Sequence, residues 1–217
     1  MTTGEIMTYI SYLVDDPEFG YFTKPKLYVY INQSLKEAQK LLCAAGNNWY
    51  VKLSSRATVA NQRDYLLPCN TLFIHRLELR QGNPLNPDRQ VINHITLNQQ
   101  DNYSTYAQPV NFYLEKQYLI LVPAPQNNVQ TMYLWHTPLV ADVTQESDVP
   151  DLPLEFHEYL AQKAAALCFV QDDRPMENIL TVYTETENRL KQAAIQRAQD
   201  FAQMVVSTRN DGGTISY

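Results

Sequence analysis

Cysteine and glycine are scarce in this chain of 217 residues, which contains three cysteines and six glycines. Cys43, Cys69 and Cys168 are widely separated and form no Cys-x-x-Cys pair, so the sequence excludes a cysteine-based zinc site and a disulfide framework. We expect three buried thiols in a reducing cell. The few glycines form neither a P-loop nor a Gly-x-Gly-x-x-Gly motif, which removes support for phosphate binding.

Long apolar runs are also missing. No stretch reaches the roughly 18 residues that a membrane helix requires, and the start "MTTGEIMTYI" lacks the basic segment of a signal peptide. We therefore expect a protein that is made in the cytosol and does not enter a membrane. The formal net charge of -6 excludes a general DNA-coating role, which depends on Lys and Arg, but it does not exclude DNA passing close by.

Motifs for catalysis and metal binding are absent as well. Glu155 and Glu158 share a helical face, but they belong to no His-Glu-x-x-His motif and have no matching partner helix for a di-iron site. A solvated first turn of a helix explains both carboxylates. There is no Gly-x-Ser-x-Gly motif. None of the four histidines has metal-ligand spacing with another: His75, His94, His136 and His157. We predict no catalytic residue, no metal and no cofactor.

Helical patterns are present at both ends of the chain. Thr2 and Glu5 have the spacing of a capping box, and Thr23 with Pro25 marks the start of a second helix that should end at Gly46. Near the other end, an apolar stripe continues from Leu154 to Cys168, and a longer stripe runs from Pro175 to about Ser207. These spacings predict one helix pair at each end.

The middle of the chain has a strand-like texture. Short segments rich in β-branched and aromatic residues alternate with turn signals at Gly82-Asn83-Pro84 and at Asn127-Asn128. The segment "PDRQVINHI" is interpreted as one helical turn. Tyrosine is abundant, with 15 copies, which suits either an interface or the rim of a β-rich core.

These patterns predict an α+β fold. We expect residues 1–48 and 152–207 to form a four-helix bundle, residues 49–151 to form a mostly antiparallel β-rich insertion, and residues 208–217 to form an extended tail.

The order of segments resembles a known family. "LYVYINQSLKEAQKLL", "YLLPCNTLFIHRLELRQGNPLNP", "QPVNFYLEKQYLILVPAPQNNVQTMYLWHTP" and "SDVPDLPLEFHEYLAQKAAALCF" look like the head-tail adaptor proteins of tailed bacteriophages, a group that includes tail tubular protein A. The resemblance covers about residues 3 to 205. Members often have an acidic residue in the loop where this chain has Asn70.

The resemblance implies a structural role in the virion. It implies a homo-oligomeric ring, of about twelve copies, that joins the portal protein to tail or nozzle proteins, with double-stranded DNA passing through its centre without sequence-specific binding. The protein would lie at the head-tail interface, after assembly in the host cytoplasm. The portal-docking tail would comprise Asn210, Asp211, Gly212, Gly213, Thr214, Ile215, Ser216 and Tyr217, and the loops facing the tail would include Asn83, Pro84, Asn127 and Asn128.

Three alternatives remain open at this point. The first is a tail-tube or tail-completion protein of the same virion. The second is a hydrolase, because a carboxylate pair could assemble from the 23 acidic residues in three dimensions. The third is a cellular oligomeric protein unrelated to phages.

We predict that a chain ending at Thr208 folds as a monomer but no longer joins its portal. The removed residues carry no apolar stripe for the bundle, whereas the resemblance assigns them the portal contact. Circular dichroism checks the fold, and co-sedimentation with portal rings checks the binding. Normal assembly by the shortened chain would contradict this role of the tail.

Overall fold

The computed structural model describes residues 1–46, 48–81, 88–102, 108–126, 130–175 and 177–210. The described α-helices are α1 (Thr3–Leu13), α2 (Lys24–Ala44), α3 (His157–Gln171) and α4 (Glu177–Asn210). The described strands are β1 (Lys52–Ala57), β2 (Asp64–Leu66), β3 (Thr71–Gln81), β4 (Asp88–His94), β5 (Asn111–Glu115), β6 (Tyr118–Val122) and β7 (Thr131–Pro138). Two short 3-10 helices span Leu97–Asn102 and Leu154–Phe156.

The N-terminal helices begin and end at the predicted residues. The Thr2 hydroxyl accepts a hydrogen bond from the Glu5 amide at 3.3 Å, and the Glu5 carboxylate accepts one from the Thr2 amide at 2.8 Å. This reciprocal pair confirms the capping box at the start of α1. Helix α2 starts directly after Thr23 with Pro25 in its first turn. Gly46 follows the end of α2 with φ of 77°, a left-handed conformation that favours glycine.

The four helices share one apolar core. Helices α1 and α2 contribute Ile6, Met7, Ile10, Leu27, Ile31, Leu35, Ala38 and Leu42, and helices α3 and α4 contribute Tyr159, Leu160, Ala161, Ala164, Ala165, Cys168, Leu190 and Ala194. The N-terminal pair therefore packs on the C-terminal pair, as the sequence predicts. Small residues dominate the contribution of α3, so its neighbours can approach closely.

The segment that leads from the sheet back to the helices is held on α2 by two side-chain amides, of which Asn32 is half-buried and Gln39 is buried. The Asn32 side chain donates to the Val143 carbonyl at 3.0 Å and accepts from the Val143 amide at 2.8 Å. Two turns further on, the Gln39 side chain accepts from the Val140 amide at 3.0 Å. These bonds satisfy backbone groups that have no strand or helix to pair with.

The seven strands form one curled sheet in the order β1-β7-β3-β4-β5-β6-β2. All neighbours are antiparallel except β4 and β5, which are parallel. A second apolar core, separate from that of the helices, lies on one face of the sheet. Strands β2 to β7 contribute its residues: Tyr65, Leu77, Leu79, Ile92, Phe112, Leu119, Leu121, Met132 and Leu134. The sheet curls around this cluster.

Three local expectations are wrong. Residues 88–94 form strand β4, not a helical turn, because Val91 and Ile92 are β-branched and pair with Glu78 and Leu77 of β3. Leu154 is exposed in a 3-10 turn before α3, since the inward stripe begins only at Phe156. Cys69 is exposed, whereas Cys168 is buried.

The described chain divides into two compact units. The helical unit comprises Met1–Tyr50 and the residues from Val140 onward, and the β unit comprises Val51–Leu139. Each unit has a buried apolar cluster of its own.

We predict that Leu35→Ala lowers the free energy of unfolding by about 3 kcal/mol, because it opens a cavity in the apolar core to which all four helices contribute. Val29→Ala on the same helix is the matched control, since the Val29 side chain is 62% exposed; its effect should stay within about 0.5 kcal/mol. Urea denaturation of both variants gives the two values. Equal effects would contradict the assignment of this core.

Candidate interaction surface

The described histidines have structural partners. His75 Nε2 lies 2.8 Å from the Thr137 hydroxyl, and buried His157 Nε2 lies 2.9 Å from the Leu152 carbonyl. His136 Nε2 lies 2.9 Å from the Ser54 hydroxyl, but its Nδ1 faces the Thr71 hydroxyl at 3.3 Å and not a carboxylate. Burial, with smaller contributions from Lys52 and His75, lowers the pKa of His136. A Ser-His pair without an acidic partner lacks the group that orients the base in a hydrolytic triad.

The buried thiol of Cys168 is not a reactive nucleophile, and the described residues form no metal site. Burial raises the pKa of Cys168 to about 12, so its nucleophilic thiolate form is not populated near neutral pH. Among the described residues, no group of three or more His, Cys, Asp or Glu side chains is placed to hold a metal ion.

The most organised polar cluster lies on the face of the sheet opposite its core. Alternation along β3 puts Arg76, Glu78 and Arg80 on this face, while Leu77 and Leu79 enter the core. Glu78 is buried although it is charged. Arg80 approaches one carboxylate oxygen of Glu78 with Nε at 2.9 Å and Nη2 at 2.8 Å, and Arg76 contacts the other oxygen.

Two aromatic rings of β7 complete this cluster. Tyr133 is the cross-strand partner of Glu78, and Trp135 is that of Arg76. The Arg80 guanidinium lies 4.2 Å from the centre of the Tyr133 ring and 5.4 Å from that of Trp135, and the Arg76 guanidinium lies 5.8 Å from Trp135. These are cation–π distances. We call these five side chains the arginine–aromatic face.

Exposed apolar residues flank the arginine–aromatic face. Val91 of β4 is directly opposite Glu78, and Leu53 of β1 is directly opposite Trp135; their exposed fractions are 48% and 52%. The Arg76 side chain is 52% exposed, so it can still meet a partner. Arginine, tyrosine and tryptophan are the residues that most often dominate binding energy at protein interfaces. The chemistry of this face therefore suits contact with another protein.

A small pocket lies on the other side of the sheet, between its edge strands β1 and β2. It has a volume of about 160 Å³, and Arg56, Tyr65, Leu67, Met132 and Leu134 are among its lining residues. Arg56 covers the Tyr65 ring at 5.6 Å. The pocket contains neither a histidine nor a carboxylate, which argues against acid-base catalysis there.

The residues predicted to contact other virion proteins fall largely outside the described residues. This holds for Asn83, Pro84, Asn127 and Asn128 and for residues 211–217. Asn210 is the last residue of α4. Their predicted roles stay predictions.

A family model described as SU10 adaptor protein matches residues 1–211 of the chain. The chain belongs to the SU10 adaptor family. This is a family of phage head-tail adaptors, so the predicted resemblance is confirmed. A search of curated proteins gives no match.

The adaptor family consists of structural proteins without enzymatic activity, which confirms the prediction that this chain is not an enzyme. The hydrolase alternative and the unrelated cellular protein are set aside on the same ground. In the part of this adaptor that the structure describes, no helix has the length and apolar character needed to cross a bilayer.

The arginine–aromatic face of this adaptor is missing from the sequence-based predictions. Its signal is present as two alternating patterns, Arg-x-Glu-x-Arg at residues 76–80 and Tyr-x-Trp at residues 133–135. Each pattern alone indicates a half-buried strand with a polar face. Only the pairing of β3 with β7 brings the two together, and their separation in the chain hides it.

We predict that Glu78→Gln destabilises this adaptor by about 2 kcal/mol, because it leaves two neighbouring guanidinium groups without their shared anion. Glu115→Gln is the control, since Glu115 is an exposed acid at the end of strand β5. Thermal denaturation at low and high salt measures both. Added salt should recover part of the loss at Glu78, because it screens the repulsion between Arg76 and Arg80. No difference between the two variants would contradict the role of Glu78.

Proposed function

We propose that this adaptor forms a ring of about twelve copies that joins the portal to the tail. The family match over residues 1–211 carries the proposal. Ring closure follows from head-to-tail contacts, in which one face of the helical bundle meets a different face of the next copy. Tail or nozzle proteins would bind on the other side of the ring.

The distribution of charge supports a DNA channel through this ring. The helical unit carries 18 acidic and ten basic residues, a net charge of -8. A channel lined partly by these carboxylates would repel DNA phosphates, so double-stranded DNA could slide without sequence-specific binding. In this proposal the protein lies in the virion, at the head-tail interface.

The proposed contacts use the segments outside the described residues. Residues 210–217 would dock on the portal, with Ile215 and Tyr217 as apolar anchors. The loops that contain Asn83-Pro84 and Asn127-Asn128 would face the tail proteins.

Mixing the full chain with purified portal rings tests the proposal. We expect the chain alone to be a monomer in light scattering, and we expect rings of this protein on the portal in electron microscopy. The tail-tube protein in place of the portal is the matched control. Binding to the tail tube without binding to the portal would replace the adaptor ring with the tail-completion alternative.

A further inference from the structure

We infer that the arginine–aromatic face binds the acidic helical unit of a second copy of this chain. The inference deepens the proposed function and rests on its ring, because a ring supplies the neighbouring copy. It adds a contact between the β unit of one copy and the helical unit of the next, besides the contact between bundles.

The charges of the two units are complementary. The β unit carries seven basic and five acidic residues, a net charge of +2, while the helical unit has a net charge of -8. Head-to-tail association needs two different surfaces on one chain that fit each other. This chain thus carries on its own surface both the basic and the acidic partner of such a contact.

An unfavourable pairing within the β unit points to an anionic partner. Arg89 of β4 is exposed and lies directly opposite Arg80 of β3. Like charges directly opposite each other in a sheet are destabilising. Glu78 contacts both Arg76 and Arg80, so its single negative charge balances only one of the three positive charges of Arg76, Arg80 and Arg89. A carboxylate from outside would relieve the repulsion that remains.

The arginines are already held in a binding geometry. Glu78 fixes the Arg80 guanidinium from one side, and the Tyr133 ring stacks on it at 4.2 Å. A side chain that is ordered before binding loses less conformational entropy in the complex. Exposed Val91 and Leu53 beside the arginines offer apolar contact area for the same partner.

Site-specific photocrosslinking tests which molecule covers this face. The photoreactive residue p-benzoyl-phenylalanine replaces Val91, which flanks the arginine–aromatic face. As a control it replaces exposed Leu114, which alternation along β5 places on the other side of the sheet. The full chain is irradiated on portal rings and, separately, as a concentrated solution without portal. Mass spectrometry identifies the linked residues.

We expect position 91, and not position 114, to link to residues 1–50 or 140–210 of a second copy. Links from position 91 to portal, tail protein or DNA, or no link in either sample, would overturn the inference. The sample without portal keeps this test valid if the chain does not bind the portal, and that separate result would count against the proposed function alone.

Arg89→Glu provides an independent test. It replaces a like-charged cross-strand pair with an opposite one, so the monomer should become more stable while binding to the acidic unit becomes roughly tenfold weaker. Arg63→Glu is the matched control, because Arg63 is an exposed arginine of the β unit outside the face. Thermal denaturation reports stability, and titration of portal rings reports how many copies bind and how cooperatively.

The inference is supported if the Arg89→Glu variant is at least as stable as the unaltered chain but binds to portal rings with reduced cooperativity. Unchanged cooperativity, or the same loss in Arg63→Glu, would overturn it.

Discussion

The fold depends on a closure between distant parts of the chain. The helical core cannot form until α3 and α4 reach α1 and α2, which precede them by the whole β unit. The amide pair between Asn32 and Val143, 111 residues apart, fixes where the returning segment lies on α2. Both chain ends of the β unit therefore continue into the same four-helix bundle.

Within the β unit, a single strand separates two kinds of environment. Successive residues of β3 alternate between the apolar core and the arginine–aromatic face, so Leu77 and Leu79 hold the sheet together while the half-exposed Arg76 remains available to other molecules. Glu78 lies on the same face as the arginines but is buried like the leucines. Burial of this carboxylate without a counter-charge would destabilise the fold. Two guanidinium groups contact it, however, and the aromatic rings packed against them limit their motion. The strand combines stability with a surface that retains binding capacity.

Much of the fold could be predicted from local patterns. Thr2, Glu5, Thr23 and Gly46 mark helix boundaries by bonds within a few residues, so their signals do not depend on the rest of the chain. Strand β4 was not predictable in this way, because its identity comes from pairing with β3 across a turn. The arginine–aromatic face required the register between β3 and β7, a long-range relation that no local pattern contains. For the same reason, the partner surfaces of an adaptor are harder to predict than its helices.

Because Asn32 and Val143 are far apart in the sequence, the helical bundle can close only late in protein synthesis. At roughly 5–20 residues per second, a ribosome needs several seconds to add the β unit and the returning segment after α2 has emerged. During that interval the apolar faces of α1 and α2 lack their partners, whereas the β unit has its own core within Val51–Leu139 and can fold first. Early helices with exposed apolar faces are the point at which chaperones would protect this protein from aggregation in an infected cell.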